Sequence, residues 1–355
     1  MIALIYPLGL WLALRAGGFW LWSLVPFNIV VVPLLDHAVM ALAPRWWLPP
    51  RAAQIVFARP AFWLYGLSQG AVLIVVLIHV GSHPLSPALF MGLVSSTGIM
   101  TGTAGITAAH ELIHRRARGD RALGLGLLAM VSYMQFRIEH VHGHHRHVAT
   151  GRDPASAALG ENFPDFFLRS LRRGWASAWT IEASRQLRRQ LPVLSLHNRM
   201  VQYAAIQALL YVLILLALGW VAMLFFALQS LMAVHLLEAV NYVQHYGLRR
   251  QAGGLSAAEP VSAAHSWDAV GPISCLLSFN IGIHAQHHLD MNAACANLRE
   301  SAQAPRLPFS FFLMVFVALI PPLWHRLMDG RAIALRRSHP VYPAALEPPN
   351  LLHTS

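Results

Sequence analysis

The chain has few charged residues and no lysine. Only 12% of its 355 residues are charged, and all 26 basic residues are arginine. A soluble domain usually carries roughly 25% charged residues. Hydrophobic residues make up 56% of the chain, and the mean hydropathy is +0.49. This composition excludes an ordinary soluble domain and indicates a polytopic membrane protein.

Cysteine is also scarce. Cys275 and Cys295 match no metal-binding or disulfide spacing, so we expect structural roles for both. The net charge of +11 could suggest nucleic-acid binding. In so apolar a chain, arginines on the cytoplasmic side of a membrane, next to anionic lipid, explain the charge better. We therefore expect no nucleic-acid partner.

Long apolar stretches predict an all-α fold with about six transmembrane helices, since one span takes ~20 residues. Ala88–Ala109 is rich in Gly, Ser and Thr, which allow close helix packing. Phe309–Leu323 is broken by two prolines, so we expect it to lie at the interface. The predicted spans are Met1–Leu14 and Phe19–Leu42, joined as a hairpin, then Pro60–His79, Ala88–Ala109, Gln202–Leu218 and Val221–Val243, the last two with a tight turn at Gly219.

Arginine distribution predicts the orientation. The segment Arg115–Arg199 contains 14 arginines, and the positive-inside rule places it in the cytoplasm. We expect one integral-membrane domain over residues 1–335 and a tail over 336–355. Membrane helices would cover about 1–109 and 201–244, and cytoplasmic catalytic segments 110–200 and 245–308. The bacterial inner membrane, with the catalytic face in the cytoplasm, is the expected location.

Histidine, in contrast, is abundant, with 20 residues, and it is concentrated in boxes. His110 and His114 are four residues apart, which on a helix places both imidazoles on one face. His140 and His144 repeat this spacing. Adjacent residues such as His144 and His145 cannot face the same way, so they can serve two different metal ions. The remaining candidates are His245, His284, His287 and His288.

Imidazole-rich sites suit Fe, Cu, Zn or Ni, and about nine histidines would fill two metal ions. Nearby acids could orient the imidazoles by accepting the second ring N–H. These candidates are Glu111, Glu139, Glu238 and Asp268. We predict no further catalytic residue and no organic cofactor.

Several histidines are left outside the predicted ligand set, and three of them lie in or near the boxes or spans. His142 and His147 are interpreted as solvated or supporting residues, and His235 as a structural one. His110-Glu111-Leu112-Ile113-His114 formally matches a zinc-protease helix. That reading needs a third ligand and a soluble cleft, and it leaves the other boxes unexplained.

The boxes resemble those of the membrane-bound histidine-rich di-iron family, which includes fatty acid desaturases and hydrocarbon hydroxylases. The alkane 1-monooxygenase and xylene monooxygenase branch is the more similar. The motifs that carry this resemblance are His110–Arg116, Glu139–Thr150 running on into Asp153–Ala157, Asn241–Leu248, and His265-Ser266-Trp267. The sequence departs from the branch pattern at Gly151, Gln244, Asp268 and His284-Ala285-Gln286-His287-His288.

The resemblance implies two non-haem iron ions and insertion of one O₂ oxygen into a terminal or benzylic C–H bond. Electrons would come from a separate rubredoxin or ferredoxin and its reductase. The alternatives are a lipid desaturase of the same superfamily and, disfavoured, a histidine-rich metal transporter. The implied iron ligands are His110, His114, His140, His144, His145, His245, His284, His287 and His288.

A hydrocarbon substrate partitions into the bilayer, so a channel between helices could deliver its end to the irons. Trp20, Trp22, Trp63 and Leu64 are candidates for lining such a channel, although packing or interface anchoring explains each of them better. Asp36 lies within a predicted span, where a bare charge is costly. We expect it to pair with a buried polar group or with His37.

Overall fold

The computed structural model describes residues 2–42, 50–250, 259–269 and 271–338, and the regular secondary structure in this part of the chain is all helical, with no strand. The all-α prediction is therefore confirmed. From position 339 onward, the predicted tail lies outside the described residues. The helices are α1 Ile5–Ala16, α2 Gly18–Leu42, α3 Pro50–Val56, α4 Arg59–Ser82, α5 Pro87–His114, α6 Arg118–Ala129, α7 over 136–147, α8 Phe163–Arg188, α9 Arg199–His245, α10 Pro272–Leu277, α11 His284–Leu289, α12 Phe311–Ala318 and α13 Pro321–Ser338.

Four helical stretches are long and apolar enough to cross a membrane: α2, the stretch Ala52–Ser82 that includes most of α3 and all of α4, α5 and α9. A fifth candidate is the pair α12 and α13, whose axes meet at 118°. These stretches confirm a polytopic membrane protein. The count of about six spans remains a prediction.

The N-terminal hairpin is present. Gly17 and Gly18 have positive φ angles of 66° and 55°, a conformation that glycine adopts without steric cost, and the chain reverses there. The Tyr6 hydroxyl of α1 donates a 2.7 Å hydrogen bond to Asn28 Oδ1 of α2. The 12-residue α1 is shorter than a full span.

Helix α9 is a second hairpin rather than one 47-residue rod. At Gly219, φ is 84°, and the helix breaks. The rings of Tyr211 and Phe226 are only 5.2 Å apart. In a straight helix, two residues with this separation in sequence would lie about 22 Å apart. The chain therefore folds back at Gly219, as the sequence predicts.

Glycines bring α5 against the second half of α9. A Cβ on Gly102 would lie 2.9 Å from Cα of Ala233, and one on Gly98 would lie 2.6 Å from Cβ of Met232. Neither space admits a side chain without movement. This close approach confirms the expected tight packing of α5. It also fixes the histidine-bearing ends of both helices relative to each other.

Helix α12 does not lie on the surface. Phe311, Met314 and Ala318 are at most 1% exposed and pack in the protein core. The chain then bends sharply at Pro321, where the sequence predicts a break. The segment therefore packs against α9, and its expected position at the membrane interface stays a prediction.

Asp36 of α2 has a structural role. Its Oδ1 accepts hydrogen bonds from the backbone N–H groups of Ile273 (2.7 Å) and Ser274 (3.2 Å) in the first turn of α10. Asp36 therefore pairs with backbone groups at the start of α10. The exposed His37 is not its partner among the described contacts. This contact ties the loop before α11 to the membrane helices.

Candidate metal centre

The nine histidines singled out in the sequence lie together in two adjacent groups. Within each group, one ring nitrogen of every histidine lies within 4.8 Å of the others. The first group is His110, His114, His140, His145 and His287, and the second is His144, His245, His284 and His288. Eight of them are buried, and His114 is half-buried. Each group is able to hold a metal ion.

The end of α5 supplies two members of the first group. His110 and His114 are one turn apart, with ring centroids separated by 5.2 Å. Nε2 of His114 lies 3.1 Å from Nε2 of His140 on α7. The predicted shared face of this box is therefore present.

The α7 box is wound as a π-helix over His140–His144. The His145 N–H reaches the carbonyl of His140, five residues back rather than four. This wider turn brings Nε2 of His145 to 3.0 Å from Nε2 of His140 and sends His144 to the second group. The adjacent pair divides between two groups, as expected, but His140 pairs with His145 and not with His144.

The α11 box divides in the same way. His284 and His288 are one turn apart, with their Nε2 atoms 2.9 Å from each other, in the second group. His287 faces the first group, 3.1 Å from His145. Asp268 fixes the start of this helix by accepting the N–H groups of His284 (2.8 Å) and Ala285 (2.9 Å).

His245, the last residue of α9, completes the second group. Its Nδ1 faces the carbonyl oxygen of His265 at 3.4 Å. Its ring centroid is 4.9 Å from that of His144 and 5.1 Å from that of His284. The two lone histidine motifs of the sequence, around 245 and 265, therefore meet at one site.

Burial keeps most of these imidazoles neutral. It lowers the pKa of His140, His145 and His287 well below the usual value, and neighbouring histidines add to the effect. Burial and neighbouring histidines also lower the pKa of His284 and His288 well below the usual value. A metal ion binds the neutral imidazole, so the lowered pKa favours metal over proton.

His144 differs because a carboxylate contacts it. Its Nδ1 lies 2.9 Å from Oδ2 of Asp153, and both side chains are buried. Burial disfavours the charged forms, but the pair outweighs it, so the pKa of His144 is raised and that of Asp153 is lowered. The carboxylate fixes the proton on Nδ1 and leaves Nε2 free to bind a metal. Sequence reasoning gave Asp153 no role at the metal centre, although the motif continuing from the α7 box contains it.

The four predicted orienting acids have other partners. Glu111 accepts from Arg115 (3.1 Å) and the Cys295 N–H (3.1 Å), while Glu238 accepts from Tyr133 (2.9 Å) and Ser170 (2.6 Å). Glu139 lies 3.5 Å from the Ser177 hydroxyl. Burial first, and Asp153 next, raise its pKa to about 8. Within the described residues, none of these three carboxylates hydrogen-bonds a group imidazole. The fourth acid, Asp268, contacts backbone N–H groups at the start of α11. The predicted role of these acids in orienting the imidazoles therefore stays a prediction.

The donor set fits a metal ion. In four places two Nε2 atoms approach to 2.9–3.1 Å, where at most one of them can carry a hydrogen. Nε2 of His110, His144 and His245 is buried without a hydrogen-bond partner among the described residues. Such a cluster of inward-facing lone pairs is costly unless a cation lies among them.

The other histidines lie apart. His142 is exposed and His147 half-buried, and neither belongs to a group. The half-buried ring of His235 packs against the rings of Phe163 and Phe167, at 4.9 and 5.0 Å. These positions agree with the solvated and structural interpretations.

Comparisons with known proteins agree with the geometry. A family model described as fatty acid desaturase matches residues 82–310. Alkane 1-monooxygenase 2 of Pseudomonas aeruginosa is 33% identical over 92% of this chain and 89% of its own length. For alkane 1-monooxygenase 1 of Alcanivorax borkumensis, the identity is 31% over 92% of this chain and 81% of that protein. The hydroxylase component of a xylene/toluene monooxygenase from Pseudomonas putida is 27% identical, over 88% of this chain and 82% of that protein.

The chain belongs to the alkane and xylene monooxygenase family. The expected family is therefore confirmed, and the protein is an oxidoreductase enzyme. In this monooxygenase family member, the two histidine groups form the only dense set of potential metal ligands in the part of the chain that the structure describes.

The monooxygenase has an apolar cavity that ends at both groups. Its empty space, counted together with the part open to solvent, is about 700 Å³. Its walls come from α2, α5, α9 and α12, and three imidazoles close it: His110, His140 and His284. The lining also includes Ile99, Leu236, Phe312 and Phe316.

The tryptophans and the leucine proposed as channel residues lie outside this lining. Trp63 donates a 2.9 Å hydrogen bond to Asp120, and Trp22 covers Gly92. Trp20 and Leu64 are 64% and 49% exposed. These positions agree with the alternative interpretation, in which the four residues pack or anchor the protein at the interface.

Proposed function

We propose that the protein hydroxylates a hydrophobic substrate with O₂ at a di-iron centre. The substrate would be an alkane, attacked at its terminal carbon, or an alkyl aromatic, attacked at a methyl group. One observation carries the proposal. Two neighbouring groups of imidazoles close the end of an apolar cavity built from membrane helices.

Nine histidines would hold the two iron ions. We infer five ligands for one iron, His110, His114, His140, His145 and His287, and four for the other, His144, His245, His284 and His288. Bound iron would supply the O₂ activation and the oxidising power that an unactivated C–H bond requires. Imidazole donors are compatible with iron, and the relatives named monooxygenases support this choice over zinc.

The residues of the chain position the substrate and exclude water. The apolar side chains that line the cavity, Ile99 and Phe316 among them, would bind a hydrocarbon substrate through the hydrophobic effect. The end of the bound substrate would then lie against His110, His140 and His284, close to both irons. Asp153 holds His144 in the tautomer that presents Nε2.

Electrons and location complete the proposal. A separate rubredoxin or ferredoxin, with its reductase, would deliver electrons, and an arginine-rich face suits an acidic carrier. We infer an inner-membrane protein of hydrocarbon or lipid metabolism, with residues 110–200 and 245–308 on the cytoplasmic side. Residues 1–335 would form a single domain.

A desaturase of the same superfamily is the second candidate, because the matching family model is described as fatty acid desaturase. Hydroxylation is favoured because the relatives named alkane 1-monooxygenase cover about nine-tenths of the chain. A metal transporter would need ligands along a transmembrane path. The imidazoles instead gather at one place.

Whole-cell conversion of an alkane, xylene and fatty-acid panel, read by mass spectrometry, tests the reaction. Alcohols should form, whereas alkenes would favour the desaturase. Purified protein should contain about two irons. His145→Ala should abolish turnover, and the exposed His83→Ala should leave it unchanged. Zinc in the purified protein, or no metal, would contradict the proposal.

A further inference from the structure

Three arginines meet where α7, α8 and the start of α9 come together. A guanidinium nitrogen of Arg137 lies 3.4 Å from the Tyr203 hydroxyl, and Tyr203 is one helical turn after Arg199 on α9. The backbone N–H of Arg199 donates to Glu182 of α8 at 3.2 Å. Arg185 donates to the same carboxylate at 2.9 Å. One chain of contacts therefore joins the cluster.

The cluster holds more positive charge than the protein neutralises. Glu182 is buried, and its ion pair with Arg185 occupies it. Arg137 and Arg199 are half-buried, and neither forms an ion pair with a described carboxylate. Nε of Arg137 is buried with no hydrogen-bond partner among the described residues. Half-buried guanidinium groups of this kind need an anion, because desolvated charge is costly without one.

The cluster lies at the edge of an apolar surface. Arg199 is the first residue of α9, whose following residues include the exposed Ile206 and Leu209. Just before it, Leu194 and Leu196 are 78% and 73% exposed. Apolar side chains beside a basic cluster, at the point where a membrane helix begins, are typical of contact with lipid.

The dipole of α9 adds partial positive charge at the N-terminus of the helix. Two N–H groups of its first turn already have partners: Arg199 donates to Glu182 at 3.2 Å, and Met200 donates to the Asn198 side chain at 2.8 Å. The guanidinium groups, rather than the backbone, are therefore the donors that remain for an anion.

We propose that Arg137, Arg185 and Arg199 bind the phosphate of an anionic membrane phospholipid, whose acyl chains cover the exposed leucines before and after the start of α9. The arginine fork matches two phosphate oxygens, and Glu182 holds Arg185 in place. This lipid site shares no residue with the metal groups and does not depend on the reaction proposed above. It would anchor the segment that connects α8 to α9.

Binding of phosphatidylglycerol to detergent-purified protein, measured by native mass spectrometry against phosphatidylcholine, tests the proposal. A basic side chain near an anionic lipid surface contributes about fivefold in affinity, so Arg137→Gln/Arg199→Gln should bind phosphatidylglycerol roughly thirtyfold more weakly. Arg172→Gln, an exposed arginine elsewhere on α8, is the matched control and should bind as the unmodified protein does. Binding should also weaken as salt is added.

The alternatives give different results. Equal affinity for the two lipids in the unmodified protein would overturn the proposal without any variant. Competition by inorganic phosphate, with no preference for phosphatidylglycerol, would mean a free phosphate site. If the double variant kept lipid binding but lost turnover supported by the electron carrier, the cluster would dock that carrier instead. If the double variant fails to fold, Arg137→Lys replaces it and should bind less tightly, since lysine lacks the fork.

Discussion

Replacing Asp153 by Asn should weaken metal binding in one histidine group and spare the other. Asp153 contacts His144 through both oxygens, at 3.1 and 2.9 Å. In the variant, one oxygen can still accept from His144 and from the Ala155 N–H. The amide nitrogen replaces the other oxygen, and it can accept neither from His144 nor from the Ser156 hydroxyl. The charge that stabilises the imidazole Nδ1–H is lost as well.

The expected magnitude follows from the role of such a partner. Loss of a carboxylate that orients a metal-bound histidine typically lowers metal affinity about 10–100-fold. His144 belongs to the four-histidine group, while the group of His110, His114, His140, His145 and His287 does not contact Asp153 through a described hydrogen bond. Under a graded chelator challenge, the metal content of the variant should therefore fall from about two ions to about one before the second ion leaves.

Asp290→Asn is the matched control. Asp290 follows the α11 box and is exposed, and its carboxylate accepts only the Asn292 N–H among the described contacts. It should retain both metal ions at the affinity of the unmodified protein. Loss of both ions together from Asp153→Asn, or of neither, would refute the assignment of His144 to a separate group.

Three further predictions concern packing and the cavity. Burial raises the pKa of the Cys275 thiol to about 12, so iodoacetamide at pH 8 should label this thiol only after denaturation; rapid labelling of the native protein would contradict its burial. Gly102→Ala should cost about 1–3 kcal/mol because the new Cβ meets the backbone of α9. Gly126→Ala, in open space, should stabilise α6 by roughly 0.5–1 kcal/mol, and thermal unfolding in detergent compares the two. Phe312→Ala should widen the cavity and shift conversion toward longer hydrocarbons, whereas the exposed Leu64→Ala should not; identical product profiles by mass spectrometry would show that Phe312 does not limit chain length.

The membrane helices were predictable because apolar runs and glycine turns are local signals. The hairpins at Gly17 and Gly219 follow from the sequence, and the structure contains both. The position of α12 was not predictable in this way. An apolar segment followed by Pro321 can expose its side chains to lipid or pack them inside the protein. Only contacts with distant elements, here the wall it forms beside α9, decide between the two.

The histidine boxes indicate where the candidate metal centre lies, but their spacing alone does not show which histidines act together. An α-helix places residues four apart on one face, which correctly joins His110 to His114 and His284 to His288. In α7 the π-turn changes this period, so His140 shares a group with His145, five residues on. In a regular α-helix, His140 and His144 would face the same group, and His145 would face the other one. The local widening of one helical turn therefore sets a division into five and four donors, and insertion or deletion of one residue within 140–145 should disrupt both groups at once.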